Sequence, residues 1–547
     1  PCLSLFQTDP SDLPAASDAG FLIGLALQVS WCADGVRTFT NHGGFMINQF
    51  YAAAQAAASS CCPSINEGCL DRRGCSRARL LGKSLGWLLP CVLAGCAGFS
   101  ADGGMERVSA LSKERTGHSV SAVSAAGTEM RQQRLSQLLS SPLSPESATE
   151  IALLNNKRLQ LALAELGVAE ADFVQAGRLR NPGFSVGRLS GGGETELDRA
   201  VLFDLSGLLT MPIRRAIEER RFGQAQLQTA LQAVRIATDA RRAYFQAVAA
   251  QQTLRYLQQA DLAAQASAEL AQRMAKAGNW GKLEEAREQA FRAEVASQLV
   301  RAGHAARSSR ERLVRLLGLS DEHASVKLPD RLPDLPVSTA AADHLESRAL
   351  GQRLDVQVAR LETESTAKSL GLTRATRWVN VFELGYQNKS VNGAPRMAGY
   401  EVELSLPLFD WGTARVRRAE AIYMRSLQRT AEVAVQARSE VREMHSAYQS
   451  SYQVARQYRD EIVPAKKRVS DEVLLRYNGM LASVFELLAD ARSQIASINA
   501  AIDAQRDFWV SDTELQFVIH GGSLLPATVM PGVSSVSPST AAMVAGH

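Results

Sequence analysis

A chain of 547 residues is long enough for several domains, yet only 6% of it is aromatic, and Ala, Gln, Arg, Glu and Leu dominate from about residue 145 to 520. That composition favours long helices. The formal net charge of +4 comes from interspersed signs, with no basic patch carrying interleaved aromatics, which argues against nucleic acid as a partner.

All eight cysteines (Cys2, Cys32, Cys61, Cys62, Cys69, Cys75, Cys91 and Cys96) lie at or before Cys96. The rest of the chain therefore holds no disulfide framework and no Cys-ligated metal. Just before Cys96, Arg77, Arg79 and Lys83 supply a positive stretch, and Leu85 to Ala94 is an apolar run too short to span a membrane. Leu93-Ala94-Gly95-Cys96 resembles a bacterial lipobox, which implies cleavage before Cys96 and a covalent lipid on it. Residues 77–95 are then the lipoprotein signal peptide, and 96–143, rich in Ser, Gly and Ala, a lipidated tether with one short helix. Residues 1–76 have no periodicity and precede a signal peptide; the expectation is upstream translation absent from the natural product.

The remainder repeats itself. Asn156-Lys157-Arg158-Leu159 is matched by Gly351-Gln352-Arg353-Leu354, and Leu209-Thr210-Met211-Pro212 by Leu404-Ser405-Leu406-Pro407. Arg158 to Arg353 and Pro212 to Pro407 are both 195 positions, which indicates an internal duplication: 144–327, a Pro-rich crossover at 328–337, and 338–520, followed by a disordered tail at 521–547. Ser144-Pro145-Glu146 is a helix start, hydroxyl at the cap and proline in the first turn, and the helix is predicted to run to about Arg180.

A hairpin follows in each copy. Phe184 and Val186, then Val201, Phe203 and Leu205, alternate around a Ser190–Gly193 loop. In the second copy Phe382, Leu384 and Tyr386, then Tyr400, Val402, Leu404 and Leu406, alternate around a loop from Asn388 to Gly399. Glu401 and Glu403 occupy the intervening positions. This is the pattern of a barrel wall with lipid on one side and water on the other, although a half-buried sheet alternates in the same way.

The helices discriminate. Ile213 to Ala277 as one helix extends about 100 Å at roughly 1.5 Å per residue, too long for a compact domain. Val441, Met444, Tyr448, Ser451, Ala455, Tyr458 and Ile462 step by three and four, as do Val484, Leu488, Ala491, Ile495, Ile498, Ile502, Gln505 and Trp509: coiled-coil seams. Each long helix turns back at a tip, Lys276-Ala277-Gly278-Asn279 in one copy and Tyr477-Asn478-Gly479-Met480 in the other. No His-x-x-x-His pair, nucleophile elbow or phosphate loop appears, so an enzyme is not indicated.

This layout resembles the TolC-like outer-membrane factors of bacterial efflux systems, lipoprotein type. The resemblance is carried by Leu404 to Gly412, similar to that family's strand-to-helix junction, and by Arg476-Tyr477-Asn478-Gly479 with Val484-Phe485-Glu486-Leu487-Leu488, similar to its tip. Met480 departs from the family's usual glycine, which shifts the expected turn to Gly479. The resemblance implies a mainly α fold with a transmembrane β-barrel: four strands per chain, and a homotrimer that closes twelve strands, since lipid tolerates no open sheet edge. It implies a passive exit duct in the outer membrane, with a periplasmic adaptor protein and an inner-membrane pump as partners, outer-membrane lipid around the barrel, and no cofactor beyond the lipid on Cys96. Glu486 and Asp490, a turn apart near the tip, and Glu284 in the first copy are candidate pore or gate carboxylates, because a threefold ring of them would select cations. Ion pairs on a solvated helix face explain them as well. Glu401 and Glu403 are candidate lumen residues. The competing readings are a periplasmic adaptor lipoprotein, which predicts a single hairpin beside a compact β-rich domain, a coiled-coil structural protein of the envelope, and, among ducts, a type I secretion exit. Drug, metal and protein cargoes all remain open.

Overall fold

The computed structural model describes residues 98–121, 128–319, 326–338, 344–378, 381–405 and 408–524. Cys96, the signal segment, the upstream residues 1–76 and nearly all of the expected tail lie outside the described residues. The described residues belong to one compact unit, Leu93–His547.

The stretch expected to be a tether holds two helices, α1 (Met105–Thr116) and α2 (Thr128–Ser140). Both are packed: Val108, Leu135 and Leu143 are buried against the long helices. The Ser and Gly residues that suggested a loose linker alternate with enough Val and Leu to dock each helix. Ahead of α1, the Ser100 amide and hydroxyl donate to the buried Glu170 carboxylate at 2.7 and 2.5 Å.

The first copy then contributes α3 (Pro145–Asn155), α4 (Lys157–Ala176), β1 (Gly183–Gly191), β2 (Glu194–Asp204), α5 (Leu205–Lys276) and α6 (Lys282–Leu317). The second contributes α7 (Leu345–Gln352), α8 (Leu354–Ala375), β3 (Phe382–Val391), β4 (Met397–Leu404), α9 (Thr413–Gln457), α10 (Val463–Asn478) and α11 (Val484–His520). The predicted cap holds: Ser144 accepts the Ser147 amide and Ser147 reciprocates, with Pro145 in the first turn. The helix expected from 144 to about 180 is instead broken at Asn156, which adopts an extended backbone. Its Oδ1 accepts the Arg158 amide and its Nδ2 donates to the Leu316 carbonyl, so the break docks onto the end of α6. The second copy breaks at Arg353, with nearly the same dihedrals, and the Leu354 amide beyond it bonds the Gly521 carbonyl at the end of α11. The structural counterpart of Arg353 is therefore Asn156, two residues from the Arg158 chosen by sequence matching.

Leu209 and Leu404 are not counterparts either: Leu209 lies inside α5, which begins at Leu205, whereas Leu404 is still in β4. Pro407 lies outside the described residues. A side chain of Asp204 accepting the Gly207 amide starts α5 eight residues before the expected point. α5 is continuous for 72 residues, about 110 Å at roughly 1.5 Å per residue. The matching helix of the second copy is interrupted: a five-residue π-turn, Tyr458–Ile462, lies between α9 and Pro464. Pro464 has no amide hydrogen to complete the ladder, and the wider turn accommodates it.

The seams hold. Val441, Tyr448 and Ala455 are buried, Met444, Ser451 and Tyr458 partly so; in α11 the buried Ile502 is flanked by half-buried Ile495, Ile498 and Trp509. The segment 326–338 has no helix or strand and straps the middle of the bundle. The Pro333 carbonyl accepts from Gln505 Nε2 and Trp509 Nε1, and Tyr452 Oη donates to the carbonyls of Pro336 and Val337.

The four strands form one antiparallel sheet in the order β1-β2-β3-β4, the β2–β3 pairing joining the two copies. The first hairpin turns in two residues, Gly192 and Gly193, both with positive φ, the backbone that a tight turn between twisted strands demands. The second loop is shorter than expected, because pairing extends to Lys389 and Met397.

Candidate functional site

Opposite residues in an antiparallel ladder share a face. The register puts Phe184, Val186, Val201 and Phe203 on one face of the sheet, with Leu384, Tyr386, Tyr400, Val402 and Leu404. That apolar face is bare: Phe184 is 70% exposed and Tyr400 84%. Tyr386 and Tyr400 pack edge to face across it. An ordinary sheet would bury such a face against a helix; among the described residues none covers it. No described helix is long and apolar enough to cross a membrane, a fact that bears only on helices.

The other face is acidic. Glu401 and Glu403 lie on it, in register with Gly385 and Glu383, and Glu383 pairs in turn with Asp204. Asp204, Glu383 and Glu403 thus form a row of three carboxylates across three strands. Glu194, Glu196 and Asp198 of β2 extend the same face, with Lys389 as its one cation, paired to Glu196. Gln387 donates to Glu401. Sequence reading found the two glutamates of β4 but not this row, because register across distant segments cannot be read from either segment alone. The sheet's outer strands β1 and β4 each have one neighbour, so two ladders of backbone groups are left unpaired.

At the far end of the long helices the two hairpins meet. Trp280, in the first turn-back, stacks on Phe485 of α11 at 4.7 Å. Glu288 of α6 is 3% exposed; it accepts the Ser267 hydroxyl and pairs with Arg492 of α11. Arg492 also lies 4.5 Å over the Phe291 ring. Of these residues the sequence motif at the tip includes only Phe485. The missed signal was one aromatic near each tip, Trp280 two residues after Gly278 and Phe485 five residues after Met480.

The predicted tip carboxylates lie beside this clasp and take no part in it. Glu486 is exposed in the first turn of α11, its amide capped by Ser483. Asp490, one turn on, is half-buried, and its Oδ2 has no hydrogen-bond partner among the described residues. Glu284 is half-buried in the first turn of α6, its carboxylate folded over Gly281. Among the described residues, no hydrogen bond links any two of the three. No group of three or more His, Cys, Asp or Glu among the described residues could hold a metal ion.

The turn itself corrects an expectation. Gly479 has negative φ, and Met480 takes the left-handed conformation, as Gly278 does in the first copy. The hydrogen bonds match one for one: Gly278 to Ala275 and Asn279 to Met274, Met480 to Tyr477 and Leu481 to Arg476. The second tip uses the turn geometry of the first without its glycine.

No family model matches the sequence, and no curated protein matches it. Solved structures do. A membrane protein from Pseudomonas aeruginosa superposes with a TM-score of 0.60 at 18% identity, over 71% of this chain and 93% of that one. The outer membrane protein VceC from Vibrio cholerae gives 0.58 at 18% identity, over 73% of this chain and 99% of that one. The fold is that of an outer-membrane factor. The MtrE outer membrane channel of Neisseria gonorrhoeae, in its open state, matches at 0.55 and 18% identity, over 71% of this chain and 89% of that one. Within this fold the chain presents a bare apolar sheet face, an acidic opposite face and two clasped tips.

Proposed function

We propose that the chain is an exit duct in the outer membrane, part of a tripartite efflux system, carrying small molecules or metal ions passively from an adaptor and pump to the outside. The observation that supports this most is the sheet: an uncovered apolar face, an acidic opposite face, and two open edges. Lipid tolerates strands only when every backbone group is paired, which requires closure into a barrel. Three copies give twelve strands, with the apolar face toward lipid and the acidic face toward a water-filled lumen. The long helices then line a periplasmic cylinder, and the clasped tips face the adaptor. Energy comes from the pump, so the duct needs no catalytic residue.

A lipid on Cys96 fits this arrangement. Ser100, held by Glu170, is only four residues beyond Cys96, a reach of about 14 Å. Glu170 lies near the sheet-side end of α4. That reach is consistent with an anchor at the membrane end of the molecule.

Electron microscopy of the detergent-purified chain beginning at Cys96 tests the reading. The expected particle is a threefold hollow cylinder, wrapped in detergent at its short end. A monomer or a solid rod would remove the closed barrel and the duct with it. Mass spectrometry of the same sample is expected to find acylation on Cys96.

A further inference from the structure

The sheet-side ends of the helices carry a band of charge that the duct reading does not use. The segments 177–182, 204–216, 374–378 and 408–420 flank or form the four connections between helices and strands, and they hold nine arginines against three carboxylates. Arg178 and Arg180 follow α4, Arg214 and Arg215 lie in the early part of α5, and Arg374 and Arg377 end α8. Arg415, Arg417 and Arg418 open α9. The segments are neighbours in space: Arg180 reaches Asp204 at 3.6 Å, and Arg374 reaches Glu420 at 2.7 Å. Among the described residues, no carboxylate makes an ion pair with Arg178, Arg214, Arg215, Arg377 or Arg418.

Directly on the sheet side of this band is an exposed apolar and aromatic one. Leu209 and Ile213 precede Arg214 on α5, and Phe409 and Trp411 precede Arg415. Trp411 packs edge to face on Trp378 at 5.4 Å, and the Arg377 guanidinium lies 4.4 Å over the Trp378 ring. Tryptophans of this kind sit at the level of lipid headgroups, and arginines just outside them meet the phosphates.

We propose that this collar binds the anionic phospholipids of the leaflet on the helical side of the membrane, and so fixes the depth at which the barrel sits. The inference rests on the reading of the sheet as a barrel wall. Charge complementarity selects the partner: a band with a surplus of unpaired guanidinium groups, beside a lipid-level aromatic belt, suits phosphodiesters with no compensating choline or ethanolamine.

The test uses the full mature chain reconstituted in bilayers of phosphatidylcholine with brominated phosphatidylglycerol or brominated phosphatidylcholine, read by quenching of tryptophan fluorescence. Phosphatidylglycerol is expected to quench at a lower mole fraction than phosphatidylcholine, and added salt to erase the difference. The R178Q/R214Q/R418Q variant, which breaks no ion pair seen here, is expected to lower that preference by about a hundredfold, at roughly fivefold per arginine. R287Q/R292Q/R301Q removes equal charge from α6 and is expected to change nothing. Equal quenching by both lipids in the parent chain would overturn the collar while leaving the barrel intact. Quenching by neither lipid would instead overturn the barrel reading on which the collar rests. Displacement of phosphatidylglycerol by millimolar glycerophosphate would show a discrete phosphate site and also overturn the proposal.

Discussion

Glu288 and Arg492 form an ion pair that ties one helical hairpin to the other next to the tip. Glu288 is buried, and the Ser267 hydroxyl and Arg492 are its partners. Arg492→Ala leaves that carboxylate without its countercharge and removes the cation stacked on Phe291. Loss of a partner from a fully buried pair costs about 3–5 kcal/mol; here about 2 kcal/mol is expected, because Arg492 retains 34% exposure. The tips should loosen, with a rise in single-channel conductance in planar bilayers. Unchanged conductance together with an unchanged melting temperature would remove the clasp from the account of the tip.

Met480 holds a left-handed backbone that an L residue enters at a cost of about 1 kcal/mol or more. Its side chain is 94% exposed, so little packing offsets that cost. Met480→Gly is expected to stabilise the turn by about 1 kcal/mol, and Gly278→Met to destabilise its counterpart by a similar amount. Denaturation midpoints of the two variants in detergent check both signs.

The tips also illustrate what the sequence revealed. The duplication, the long helices, both seams and the two-faced strands were legible, because each follows from local spacing. Three features were not. The counterpart of Arg353 is Asn156, since helix breaks are fixed by what they dock against, here the ends of α6 and α11. The row Asp204–Glu383–Glu403 depends on the register between strands from different copies. The partners Glu288 and Arg492 are 204 positions apart, and neither residue type is unusual on a coiled-coil helix.

Arg353 is completely buried and pairs with Asp355 at 2.6 Å and Glu440 at 2.9 Å. The same carboxylates receive Ser523, whose amide bonds Asp355 and whose hydroxyl bonds Glu440. Arg353→Met should cost about 2–3 kcal/mol, less than the loss of about 3–5 kcal/mol for a fully buried pair, because the two carboxylates that lose their cation are only partly buried. Adding Glu440→Gln should recover part of it by removing one uncompensated charge. Limited proteolysis should cut after α11 sooner in the single variant than in the double.

Burial and the nearby Arg348 and Arg115 push the His520 imidazole below its ordinary 6.5, against a smaller opposing effect of Glu114. Its folded pKa is depressed, so the unfolded chain binds the proton first. The stability linked to this group is present above about pH 6.5 and is lost as pH falls from there through the folded pKa. His520→Gln, which cannot titrate, should flatten that part of the stability profile. Melting temperatures of both proteins between neutral and mildly acidic pH measure it; parallel curves would show that His520 does not contribute.

The acidic face of the sheet carries carboxylates on β2, β3 and β4 with Lys389 as its single cation, so three copies around a lumen would concentrate negative charge where ions must pass. Glu401→Gln with Glu403→Gln should move the reversal potential in a KCl gradient toward zero. The Glu383–Glu403 pairing sharpens the expectation, because like charges directly opposite repel and destabilise the sheet. Glu403→Gln alone should therefore raise stability slightly while lowering cation preference. Glu486→Gln with Asp490→Asn at the tip offers the contrast: if only that pair changes selectivity, the tip and not the wall is where ions are chosen.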